Sequence, residues 1–229
     1  MRRLVGGLFA LLLHGILATG LQAQDAAFRV EPIDQLPAEL PQAIRDLNPN
    51  GFRVFAEDSK PVAEFWVLKE LSAKAKPAGP DGAVQFPFLN EGELLGVVRF
   101  LQEVHDHREQ SILPGFYTIR FGLHPINGDH LGVSPFRDYG LLLPAEKDDK
   151  PAPPDRKALE SLSAEASGTN HPAVMLLQIV KGGAKVGSLV RNEEKNFWGV
   201  VVGLNLKVAG QAEPVLYPME VVFSGAAAK

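Results

Sequence analysis

The chain has 229 residues, no cysteine and a formal net charge of −4 at pH 7. A length of this order supports one large domain or two small ones, with a core that folds without disulfide staples. The mild acidity argues against nucleic acid or an anionic membrane as partner, since both need basic patches.

The first stretch reads as a signal peptide over residues 1–23. Arg2 and Arg3 form a positive start, Leu4 to Ala18 is an apolar run, and Thr19-Gly20-Leu21-Gln22-Ala23 ends in small and polar residues suited to cleavage. Cleavage is expected after Ala23, with Gly20 and a retained anchor as alternatives. Losing Arg2 and Arg3 takes the formal charge from −4 to −6. No cysteine follows the apolar run, so no lipoprotein anchor is expected. No later stretch has about 18 uninterrupted apolar residues, so no further membrane span is expected. The implied location is secreted or periplasmic, where disulfides form but this chain uses none.

Phe28 to Asn50 is Pro-rich at first. It then places Leu40, Ile44 and Leu47 at helical spacing, with Pro41 in a first turn that tolerates it. Phe52–Ala56 and Val62–Leu68 read as a hairpin around Glu57-Asp58-Ser59-Lys60-Pro61. Trp66 is expected as a core or half-buried strand residue rather than as a sugar-stacking platform. Residues 72–82, SAKAKPAGPDG, read as an internal flexible connection. Gly96 to His107 reads as a strand with Val98, Phe100 and Val104 on one face. Arg99, Glu103, His105 and His107 lie on the other.

The segment Leu113–Pro144 carries the clearest signal. Tyr117, Ile119, Phe121 and Leu123 alternate with Thr118, Arg120 and Gly122, which predicts a strand with one core face. Tyr139–Leu143 is the closing strand, and the long loop between them holds most of the residues that bear chemistry. A second hairpin is expected from 94–107 with 116–124. Asp155 predicts a helix N-cap and Gly168 a C-cap, with Leu159, Leu162 and Ala166 on one face. That helix is expected across a sheet edge or end. Strands follow at 173–180, 186–191, 197–208 and 215–223. Short strands with turn signals between them predict an all-β fold. The expected form is an antiparallel β-sandwich, transthyretin/immunoglobulin-like, with two short helices, as a single domain over 24–229.

Two clusters are candidates for chemistry. In the loop, His124, Asp129, His130, Arg137 and Asp138 are candidate binding residues. His130 suits acid–base work near neutral pH if Asp129 or Asp138 orients it. The alternative is that Arg137 and Asp138 hold the loop rigid. On the preceding strand, Glu103, His105 and His107 form a His-x-His-type candidate for a metal, against a solvated strand end. A paired hairpin would set His124 at the opposite end from the 105–110 turn, away from that cluster. Ser134 lacks the second glycine of a nucleophile elbow, and no P-loop, dinucleotide fingerprint or zinc-ribbon spacing occurs.

The strand Pro114-Gly115-Phe116-Tyr117-Thr118-Ile119-Arg120-Phe121-Gly122, the Asn127-Gly128…His130 loop and Arg137-Asp138 before an apolar strand resemble a group of secreted bacterial β-sandwich proteins. That resemblance covers about the last 130 residues and implies no activity. The Pro-Gly-x-Tyr-Thr hairpin is also similar to those of transthyretin-like and carboxypeptidase-regulatory-like sandwiches. Cupins carry His-x-His with a following Glu, but Glu109 follows His107 too closely and the Pro125–His130 spacing differs, so no ligand set is carried over. The expected function is a non-catalytic binding or structural module taking an envelope protein or a small ligand, with no cofactor. The alternative is a metal-dependent or His/Asp-based enzyme, or a metal carrier, using the 124–138 loop.

Overall fold

Alternating apolar residues give a strand one core face, and strands make up 45% of this protein. The structure, a computed structural model, describes residues 28–47, 50–125 and 136–225. The signal peptide reading and the candidates Asp129 and His130 lie outside the described residues.

The first half contributes β1 (Phe28–Ile33), the short helix α1 (Gln42–Arg45), β2 (Asn50–Ala56), β3 (Pro61–Val67), β4 (Leu71–Ala73) and β5 (Leu94–Phe100). Then come β6 (Val104–His105), β7 (Ser111–Ile112), β8 (Gly115–Leu123) and β9 (Asp138–Pro144). Helix α2 (Arg156–Ser167) precedes β10 (Val174–Ile179), β11 (Leu189–Asn192), β12 (Phe197–Val208) and β13 (Val215–Ser224). The protein is mostly β, with a sheet that curls into a half-barrel. Its strand order is β1-β2-β3-β5-β8-β9-β10-β13-β12-β11, and β4 runs parallel against β12. The curl brings Phe28 of β1 against Trp198 of β12, with ring centroids 5.5 Å apart. Instead of two separate stacked sheets, β10 joins the halves by pairing with β9 on one side and β13 on the other.

The hairpins expected at 52–68, 94–124 and 113–144 are present as β2–β3, β5–β8 and β8–β9. Tyr117, Ile119 and Phe121 point into the curl, together with Phe65, Val98, Val202, Met219 and Val221. Burying each such side chain contributes about 1.5–3 kcal/mol. The interior is filled: a cavity of about 20 Å³ remains between Phe65, Ile119, Val202 and Met219, room for about one water.

Four expectations are revised. Phe28–Ile33, read as Pro-rich approach, is strand β1. Ser72 and Ala73, read as part of a flexible connection, belong to β4 and pair with Lys207 and Val208. The strand read over 96–107 ends at Phe100, and a separate two-stranded ribbon, β6–β7, follows. Asp106 makes the turn between β6 and β7: its carboxylate accepts the N–H groups of Arg108 (2.8 Å), Gln110 (2.9 Å) and Val174 (3.0 Å). Finally, α2 lies over the outer face of β9 and not at an edge. It is capped by Asp155, which accepts from Ala158 N, and ends at Gly168 with φ 63°, as its sequence predicts. Leu159 and Leu162 close a second core on Tyr139, Leu141, Leu143 and Val174.

Because α2 and the chain before it cover the outer face, the polar side of β8 is also buried. Thr118 and Arg120 are both 0% exposed. Arg120 Nε and Nη2 donate to the two oxygens of Asp148 at 2.6 and 2.9 Å, and Thr118 donates to the same carboxylate. The remaining guanidinium donors go to the carbonyls of Gly92, Lys150 and Pro151. The pair fastens the 146–151 turn to the sheet and so sets where α2 begins.

Candidate functional site

The loop candidates start from a clamp. His124 N donates to Arg137 O at 2.8 Å, and Arg137 Nε donates to His124 O at 2.7 Å. Arg137 N also donates to Ala83 O. Arg137 therefore ties His124, at the end of β8, to the start of β9, using its guanidinium on backbone. Asp138 turns inward and is 1% exposed. Its two carboxylate oxygens accept from Gln85 N (2.7 Å) and Phe86 N (2.9 Å), which ties the 83–86 segment to β9. Burial pushes the Asp138 carboxyl above its ordinary range, opposed by those two N–H groups and by Arg137. With both oxygens engaged by backbone, Asp138 serves the fold.

His124 takes a different place. Its ring lies 4.2 Å from that of Tyr139, centroid to centroid, with the planes 34° apart. Tyr139 fits there because it pairs with Gly122, where a Cβ would come within 2.9 Å of the phenol ring. The glycine leaves a flat seat for the aromatic ring. Burial is the main cause that pushes the Tyr139 phenol up to about 12, reinforced by the charge of Glu91. It stays protonated at neutral pH and is a hydrogen-bond donor rather than a base.

These two rings line a cleft of about 870 Å³. One wall is the polar face of α2, where Lys157, Glu160, Ser161 and Ala164 recur at helical spacing. The facing wall is the β6–β7 turn, represented by Arg108, and the 168–172 segment with His171. Gln110 holds these two pieces together: its amide donates to Pro172 O at 2.9 Å and its carbonyl accepts from Thr169 Oγ1 at 2.6 Å. His124 and His105 line different concavities, but Arg108 of the 105–110 turn lines the same cleft as His124. The turn folds back over β10, where His107 N donates to Val174 O, and brings Arg108 to the cleft that His124 lines.

Charge in the cleft is unevenly committed. Glu160 is paired with Arg156 at 2.9 Å, and Glu165 is paired with Lys147. Among the described residues, neither Arg108 nor Lys157 has a carboxylate within ion-pair distance. Arg108, Tyr139, Lys157 and His171 were not singled out from the sequence. Gly122 opposite a tyrosine, and the polar stripe of α2 beside its apolar one, are signals that point to two of them.

The candidate metal residues part company. Glu103 and His105 line a second concavity of about 550 Å³ beside Phe28, Phe100 and Phe223. His107 lies beyond the Asp106 turn, so it does not share a strand face with His105. Among the described residues, no group of three or more His, Asp or Glu is placed to hold a metal ion. Among the described residues, no helix is long and apolar enough to cross a membrane. No protein-family model, no curated protein and no solved structure matches the chain.

Proposed function

We propose that the protein is a non-catalytic binding module of the periplasm or cell exterior, and that its ligand sits in the cleft between α2 and the β6–β7 turn. The observation that carries this reading is the cleft itself. Its volume of about 870 Å³ falls in the range of small-molecule sites, and it is floored by the His124–Tyr139 ring pair. Its walls stand on a helix and a sheet braced by the buried Arg120–Asp148 pair, a rigid footing for a binding site. Of the groups beside the cleft, Asp138 is bound to backbone and Tyr139 keeps its proton, which favours binding over acid–base work by these two. Export rests on the Arg2-Arg3 and Leu4–Ala18 pattern. We read the curled sheet as a variant of the transthyretin/immunoglobulin-like sandwich, on the support of β3 and β12 facing each other across Phe65 and Val202.

A test is an NMR screen of the mature protein against a library of small polar molecules. Ligands should shift the backbone amides of His124, Tyr139, Lys157 and Gly168 together. Ligands that shift instead the residues around Phe28 and His105 would overturn the assignment of the site.

A further inference from the structure

Resting on that reading of the cleft, we infer that it is an oxyanion site, in which Arg108 and Lys157 together take a carboxylate or phosphate group of a small molecule. Most charged groups near α2 are already paired. Of the arginines near α2, Arg120 spends its donors on Asp148 and three carbonyls, and Arg156 is held by Glu160 with Glu91 3.7 Å away. The two carboxylates on the cleft wall, Glu160 and Glu165, have their own cations in Arg156 and Lys147. What remains on the lining is a guanidinium from the β6–β7 turn and an ammonium from α2, neither with a carboxylate partner among the described residues. A guanidinium presents a planar fork that matches two oxygens, and an ammonium adds a movable third donor.

The position of Arg108 is built. It follows Asp106, which is 5% exposed and whose Oδ1 accepts the Arg108 N–H at 2.8 Å. The side chain thus starts from a fixed backbone. Tyr139, 7% exposed, lines the same cleft with its hydroxyl proton in place, and feels the positive charge of Arg108. The mature chain carries a formal −6 on this reading, so its overall field does not gather anions. Affinity must come from the local pair, and it must fall as salt rises.

The test uses the full mature chain and isothermal titration with inorganic phosphate and with citrate, at low ionic strength. Both should bind saturably. Arg108→Gln and Lys157→Gln should each weaken binding about tenfold, as loss of one charge-assisted hydrogen bond does. Lys195→Gln, in the 193–196 turn, should leave it unchanged. Citrate alone binding would assign a carboxylate ligand, and phosphate alone a phosphate ligand; either supports the site. Saturable binding that survives both cleft substitutions, or that falls equally with Lys195→Gln, would overturn it. Methylammonium or glucose shifting the Tyr139 and Lys157 amides, with no anion doing so, would overturn the oxyanion assignment and leave the binding module standing. No response at the cleft to any of the four probes would overturn the oxyanion assignment, while the wider library decides the module.

Discussion

Arg120 and Arg108 show two uses of the same side chain. Arg120 is wholly buried and each of its guanidinium nitrogens has a partner, so its role ends inside the molecule. Arg108 is half-buried on a turn, fixed at its backbone and uncommitted at its guanidinium among the described residues. Commitment of the guanidinium separates structural arginines from those available for recognition. A buried charge must find its partners within the chain or destabilise it. A charge held at the edge of a cleft keeps its partners for something else.

The largest expected effect comes from breaking the first kind. Asp148→Ala leaves the Arg120 guanidinium buried without its carboxylate, and should cost about 3–5 kcal/mol in urea unfolding. Replacing both members with apolar residues, Arg120→Met with Asp148→Leu, should recover part of that loss. A double variant no better than the single one would show that the carbonyl contacts of Arg120 matter more than the ion pair.

Asp106→Ala comes next. It orphans the N–H groups of Arg108, Gln110 and Val174, and should cost roughly 3 kcal/mol. It also frees the turn that carries Arg108, so phosphate affinity should fall even where the variant remains folded. Stability loss without loss of affinity would detach the turn from the site.

A smaller effect, of opposite sign, is expected at Glu220. This carboxyl on β13 is 5% exposed, packs against Gly199, and has one oxygen without a hydrogen-bond partner among the described residues. Burial raises its pKa, with Lys181 opposing. The folded chain therefore holds the Glu220 proton more tightly than the unfolded chain does. The destabilisation is fully present above the folded pKa, and it is relieved as pH falls toward the unfolded value of about 4.5. Glu220→Gln should raise the Tm at pH 7 and leave it unchanged at about pH 4. A lowered Tm at pH 7 would show that the charged form is the one the fold needs. Smallest of all, Arg108→Gln and Lys157→Gln should each change stability by no more than about 0.5 kcal/mol, as surface substitutions do. That near-zero cost is the sharpest contrast with Arg120.

Local chemistry made much of this fold legible. Alternation at Tyr117, Ile119 and Phe121 depends on a two-residue period that any strand obeys, and the caps of α2 depend on the side chain of Asp155 and the missing Cβ of Gly168. Both are properties of a few adjacent residues, so the sequence alone determined them, along with the hairpins and the buried place of Trp66. Of the candidate site, His124 and the clamp role of Arg137 lay within reach for the same reason. Tertiary structure alone decided what covers what. Nothing within the strand distinguishes Arg120 from an outward-facing, solvated arginine; α2 and the 146–151 turn, far along the chain, bury it. Nothing near Arg108 places it by Tyr139; Asp106 does so by reaching Val174, 68 residues away in sequence. Contacts of that span are set by how layers stack, a property of the whole chain that no short window carries.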